Sequence, residues 1–259
     1  MKKITYIFLY IILSLNLVNL NSKEIEIGID EKLDSIVDGD LKFFDADSNV
    51  VTLREIVNKP TIISLVYFNC PGICTPLLDG FADVLAKTDM KLGVEYQALS
   101  ISFDHNETPY LAAKWQNNYR KLVGKDLPKN AWRFLTADSV TIKKLTKALG
   151  FYFKKDGKKD YLHAGALITL SPTRRITRYQ FGDKFLPFNI KMSVVEASRE
   201  VSSPTINKLL DLCFKYDPSG RAYVLNLTRI IGTVMLLTVG IFATFLIVKG
   251  RSNKNREIS

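Results

Sequence analysis

Cys70 and Cys74 stand in the stretch Val66-Tyr67-Phe68-Asn69-Cys70-Pro71-Gly72-Ile73-Cys74-Thr75-Pro76. There an apolar, β-prone run from Thr61 to Phe68 ends and a helical pattern begins. Thiols spaced in this way at a strand-to-helix junction can close a disulfide or hold a soft metal ion. If Cys74 opens the helix, its sulfur meets free backbone N–H groups at the positive dipole end, which predicts a lowered thiol pKa. Residues four apart on a helix share a face, so a partly helical CxxxC lets both sulfurs converge. Two buried structural thiols are the plainer alternative, and the junction and spacing argue against it.

The chain has two histidines, His105 and His163. His163 lies in Asp160-Tyr161-Leu162-His163-Ala164-Gly165-Ala166, just ahead of a second apolar strand, Ala166 to Leu170. Disulfide enzymes of the thioredoxin type usually carry a cis-proline at the start of the strand facing their cysteines, and no proline occurs here. A nitrogen ligand in its place completes a Cys2His set soft enough for copper. Such a set suits trigonal Cu(I) and tolerates Cu(II) with one more ligand. A structural zinc site normally has four protein ligands, and only His105 and the distant Cys213 remain to supply one. His105, in Ser102-Phe103-Asp104-His105-Asn106-Glu107, reads as a loop residue after a strand.

These residues need a scaffold, and the pattern predicts a mixed α/β one. Phe43-Phe44 and Val50 to Leu53 flank the turn-rich Asp45-Ala46-Asp47-Ser48-Asn49 as a hairpin. Thr61 to Tyr67 is nearly continuously apolar, as a central strand should be. A helix follows over about 75–88, with Leu77, Leu78, Phe81, Val84 and Leu85 at helical spacing. Tyr96 to Phe103 is the next strand. Glu107-Thr108-Pro109 opens a helix, with proline suited to the first turn. After a strand near Trp132 to Leu135, Asp138 or Ser139 caps a helix that ends at Gly150. Ala166 to Leu170 and Ile176 to Phe181 form a hairpin, and a last helix covers 190–201. Strands alternating with helices around one closing hairpin match a thioredoxin-like sheet flanked by helices.

From about Asp38 to Asp217 the sequence resembles the Sco/SenC proteins. The resemblance rests on Phe44-Asp45 with Val51-Thr52-Leu53, the CxxxC strand end, Ser100-Ile101-Ser102-Phe103-Asp104, Trp132-Arg133-Phe134-Leu135-Thr136 and His163. Arg178-Tyr179-Gln180-Phe181-Gly182 and Leu212-Cys213-Phe214-Lys215-Tyr216-Asp217-Pro218 look like a subgroup with a C-terminal membrane anchor. The resemblance implies a thioredoxin-like fold and one copper per domain, Cu(I) or Cu(II), held by Cys70, Cys74 and His163. It implies a metallochaperone serving assembly of the binuclear copper centre of cytochrome c oxidase. The partners would be the copper-bearing oxidase subunit or another exported copper protein, and an upstream copper donor. The competing role is a thiol–disulfide reductase acting on an acceptor's copper-ligand cysteines, with Cys70 and Cys74 as the redox pair. Two positions depart from the usual pattern: Leu162 replaces an acidic residue before the histidine, and His105 replaces a proline. A peroxidase on this fold would need a Pro-x-x-x-Thr-x-x-Cys pattern, which the chain lacks.

The ends of the chain bear on its location. Met1-Lys2-Lys3 precedes an apolar run from Ile4 to Val18, which predicts a signal peptide or an uncleaved N-terminal anchor over 1–22. Ile230 to Val248 carries no charge and would make roughly 28 Å of helix, about a bilayer core. Arg229 precedes it, and Lys249, Arg251, Lys254 and Arg256 follow. The expected organisation is thus a copper-binding domain over 38–202, a connector over 203–228, a transmembrane helix over 229–248 and a cytoplasmic basic tail over 249–259. The domain would face the exported side of the cytoplasmic membrane. The net charge of +10 is scattered and partly confined to the tail, so it does not point to nucleic acid. Lys154-Lys155 and Lys158-Lys159 flank Asp156-Gly157 in a turn that could steer an acidic partner. Of three cysteines, Cys213 is the odd one and reads as a small buried hydrophobe.

Overall fold

The computed structural model describes residues 27–124, 127–157 and 160–203, together with 214–217, 222–225, 235, 238–240 and 242. In chain order, β1 is Gly28–Ile29, β2 Lys42–Phe44, β3 Val50–Thr52, α1 Leu53–Ile56 and β4 Thr61–Val66. Then follow α2 Cys74–Lys87, β5 Gln97–Ser102, α3 Pro109–Val123, β6 Trp132–Leu135 and α4 Ser139–Ala148. The short strands β7 Phe151–Tyr152, β8 Lys154–Asp156 and β9 Asp160–Leu162 lead to β10 Ala166–Leu170, β11 Ile176–Phe181 and α5 Pro187–Ser198. Finally, β12 Phe214–Asp217 pairs with β13 Ala222–Leu225 inside the expected connector.

Five strands form the central sheet in the order β11-β10-β4-β5-β6. The inner strands β4 and β5 are buried at every position, which is why both faces of Thr-Ile-Ile-Ser-Leu-Val read as apolar. β4, β5 and β6 run parallel, whereas β10 is antiparallel to both β4 and β11. This mixed sheet with helices packed on it is the expected thioredoxin-like arrangement. α2 packs against both α3 and α5. Buried hydroxyls tie the sheet centre together: Ser64 and Ser100 meet at 2.8 Å, and the Trp132 indole N–H donates to the Ser100 hydroxyl at 2.9 Å.

Local chemistry sets the helix ends. Thr52 and Glu55 make a reciprocal capping box at α1, and Pro109 and Pro187 occupy the first turns of α3 and α5. Gly124 closes α3 in the left-handed conformation, with φ of 67°. The last helix starts earlier than the apolar pattern indicates, because Pro187 already has helical geometry. The pairing of β1 with β7 lies outside the sequence expectations: two residues per strand carry no readable alternation.

The expected C-terminal transmembrane helix is corrected. Among the described residues no helix is long and apolar enough to cross a membrane. Of 229–248 only Met235, Thr238, Val239, Gly240 and Phe242 are described. The N-terminal 1–22, Cys213 and the basic tail lie outside the described residues.

Candidate metal centre

The parallel strands β4 and β5 end together at Val66 and Ser102. Beyond their carboxyl ends the chain must turn back, and such ends are the usual ligand side of an α/β sheet. β4 leads through Tyr67, Phe68 and Asn69 to Cys70, and Cys74 is the first residue of α2. His163 arrives from the neighbouring antiparallel strand: Leu167 pairs with Ser64, and continuing that register sets His163 opposite Phe68.

The ligand atoms of Cys70, Cys74 and His163 lie within 4.8 Å of one another. The Cys74 sulfur is 3.3 Å from His163 Nε2. His163 Nδ1 lies 3.0 Å from the Ala164 carbonyl, which can only accept, so Nδ1 carries the hydrogen and Nε2 presents its lone pair to the sulfurs. Two sulfurs and one imidazole make a donor set fit for a soft ion such as copper. Cys74 and His163 are buried, whereas Cys70 is half-buried at the rim and gives the cluster its access. His105 is exposed in the turn after β5 and does not join the cluster.

The two thiols are electrostatically unequal. Hydrogen bonding, chiefly from the Cys74 thiol, lowers the Cys70 pKa to about 3 against its burial. Gly72 N–H also donates to the Cys70 sulfur at 3.3 Å. Burial pushes the Cys74 thiol upward, and the adjacent Cys70 charge adds to it. Cys74 does open the helix, as the sequence suggests, but desolvation outweighs the dipole and reverses the expected direction for that thiol. The charge rests on Cys70.

An aromatic box surrounds the imidazole. The ring centroid of His163 is 4.9 Å from Phe103, 5.8 Å from Tyr67 and 5.9 Å from Phe151. Tyr161 and Phe153 extend it. The Tyr67 hydroxyl donates to the carboxylate of Asp160, which opens β9 at the turn end of the β8–β9 hairpin. Burial, then this bond, raises the Tyr67 pKa. These rings keep water from the histidine side of the cluster and hold the imidazole plane, which preorganises Nε2.

Glu107 completes the surroundings from below the cysteine turn. Its carboxylate accepts from Phe68 N–H at 2.7 Å, Asn69 N–H at 2.8 Å, the Asn69 amide at 3.1 Å and the Ser102 hydroxyl at 2.6 Å. Burial raises the Glu107 pKa, against the lowering effect of these donors. Sequence reading placed Glu107 at a helix start and missed this role, as it missed Tyr67 and Asp160. A carboxylate that no helix cap explains, just after a strand, is the only signal the sequence offers.

Among curated proteins none matches the sequence significantly. A solved Aquifex aeolicus VF5 protein, provisionally described as an electron transfer protein, is 25% identical with a TM-score of 0.59, covering 65% of this chain and 95% of its own. The Sco-family structure BsSco, described with a disulfide switch, is 21% identical with a TM-score of 0.52, covering 66% and 98%. Yeast Sco1 with copper bound is 19% identical with a TM-score of 0.50, covering 67% and 94%. The last two likenesses concern the fold. Residues 29–184, more than half of the chain, match the SCO1/SenC family, and the protein belongs to it.

Proposed function

We propose that the protein is a copper metallochaperone that carries one copper on Cys70, Cys74 and His163 and delivers it on the exported side of the cytoplasmic membrane. The acceptor is the binuclear copper centre of cytochrome c oxidase or another exported copper protein. The observation that carries this reading is the convergence of two sulfurs and an imidazole within 4.8 Å, with one sulfur at the rim. Three protein donors leave a side open to an incoming ligand, as release of cargo to an acceptor requires. Family membership supports it, as do Sco relatives solved with copper bound and the description of the Sco family as cytochrome c oxidase assembly proteins. The exported location rests on Lys2-Lys3 and the apolar run that follows.

The unequal thiols favour a second reading, dithiol reduction of the acceptor. The Cys70 thiolate would attack an acceptor disulfide and release one acceptor thiolate. Cys74, losing its proton, would then attack the Cys70 sulfur, forming the Cys70–Cys74 disulfide and releasing the second thiol. A thiol reductant must then restore the pair.

Deletion with separated rescues decides between them. Loss of the protein should lower copper content and activity of a copper-dependent terminal oxidase. Added copper restores activity under the carrier reading, whereas a membrane-permeant reductant restores it under the reductase reading. His163→Ala fails to complement as a carrier and succeeds as a reductase. Normal oxidase copper under copper limitation, without a redundant homologue, overturns both.

A further inference from the structure

We infer that Glu107 is the positioning residue of the cysteine turn, fixing where Cys70 enters the cluster and hence the geometry of its bond to the metal. The inference deepens the copper-binding reading and rests on it for its metal readout.

Past Val66 the β4 ladder stops, since Phe103 N–H to the Val66 carbonyl, at 2.9 Å, is the last bond to the β5 side. The next amides, of Phe68 and Asn69, would be orphaned beside the core, and a buried N–H without a partner is costly. Glu107 supplies what the strand no longer does. Oε2 takes Phe68 N–H and the Ser102 hydroxyl, and Oε1 takes Asn69 N–H and the Asn69 amide. The backbone that carries Glu107 is tied down as well, because Glu107 N–H donates to the Asp104 carbonyl at 3.1 Å. Glu107 is only 8% exposed, so water does not substitute for it. Cys70 follows directly after the clamped amides, while Cys74 is fixed by α2 and His163 by the aromatic box.

All four partners are donors, which makes the requirement chemical as well as steric. A glutamine of the same size offers one acceptor oxygen and turns an NH2 toward a donor on the other side. One of the two backbone amides then loses its partner, and only the Cys70 side of the cluster is released.

The test compares Glu107→Gln with Asp138→Ala, a remote helix-cap variant that destabilises the fold without touching the site. In the metal-free protein, amide exchange of Phe68 or Asn69 should quicken at least about 10-fold in Glu107→Gln, while β4 amides stay protected. With copper, Glu107→Gln should lose at least about 10-fold in affinity and shift the thiolate-to-copper absorption, whereas Asp138→Ala retains both. A folded Glu107→Gln with wild-type exchange, affinity and spectrum overturns the inference, as does the same loss in Asp138→Ala. If Glu107→Gln does not fold, Glu107→Asp keeps both acceptors but withdraws them by one methylene. A folded Glu107→Asp with unaltered exchange and spectrum is equally fatal. If the wild-type protein binds no copper, the metallochaperone reading falls, and the exchange result still decides the positioning.

Discussion

The imidazole Nε2 of His163 stands 3.3 Å from the sulfur of Cys74, although 89 positions separate the two residues. Antiparallel pairing of β10 with β4 brings them together, and the start of α2 completes the approach. The candidate metal centre is thus a consequence of sheet order. Exchanging β10 for any other neighbour of β4 would leave a dithiol without a nitrogen.

Copper titration followed by absorption should therefore separate the two histidines. His163→Ala removes a donor and should weaken binding by at least about 10-fold, the scale at which even outer groups of metal sites act. His105→Ala should bind as wild type, since His105 lies exposed outside the cluster. Undiminished binding in His163→Ala would remove the histidine from the site.

Thiol reactivity gives a pH test. In the reduced, metal-free protein the Cys70 pKa is lowered to about 3 and that of Cys74 is raised. Above about pH 5 the Cys70 thiolate is already fully formed, so its alkylation rate should stay flat to about pH 8. An ordinary thiol, with pKa about 8.5, would instead speed up about tenfold per unit across that range. Peptide mapping by mass spectrometry should find Cys70 modified before Cys74. A steep rise, or Cys74 labelled first, would show that the charge does not reside on Cys70.

Much of this was legible in residue order. β6, β10 and β11 fall where alternation and turn residues mark them, and α4 starts from the cap at Asp138. Cys70, Cys74 and His163 stood out because thiols and imidazoles are scarce and carry chemistry wherever they fall. Glu107, Tyr67 and Asp160 did not, since common residue types become informative only through partners distant in sequence. Tyr67 meets Asp160 across 93 positions and Glu107 meets Phe68 across 39. The direction of the Cys74 pKa was misread because dipole position is local and visible, whereas burial is a property of the whole fold. The charge-free run from Ile230 to Val248 leads to the expectation of a spanning helix, and among the described residues no helix is long and apolar enough to cross a membrane.

Gly80 should be intolerant of a methyl group. A Cβ there would come within 1.7 Å of the Asp183 carbonyl oxygen, which is backbone and cannot swing aside. That contact joins α2 to the segment leading into α5. Gly80→Ala should cost about 1–3 kcal/mol or more, because the chain after β11 must move. Urea denaturation reads this directly, and a variant as stable as wild type would mean that the approach is looser than described.

The cap of α4 predicts an acid-sensitive contribution to stability. The Asp138 carboxylate accepts from Val140 N–H at 2.8 Å, Thr141 N–H at 2.9 Å and the Thr141 hydroxyl at 3.1 Å. The Thr141 backbone bond, chief among these, holds the Asp138 pKa below its ordinary value. A depressed acid adds stability above the unfolded-state pKa, near 3.9, and that stability disappears as pH falls through the lower folded value. At neutral pH Asp138→Ala should cost about 1 kcal/mol, and Asp138→Asn less, because the amide oxygen still caps the helix. The gap between wild type and Asp138→Ala should narrow as pH falls from about 4 toward about 2, where the carboxyl gains its proton. Urea denaturation of the three proteins at neutral and acid pH measures both effects. A gap that stays constant in acid would show that the charge contributes nothing and that the oxygen alone caps the helix.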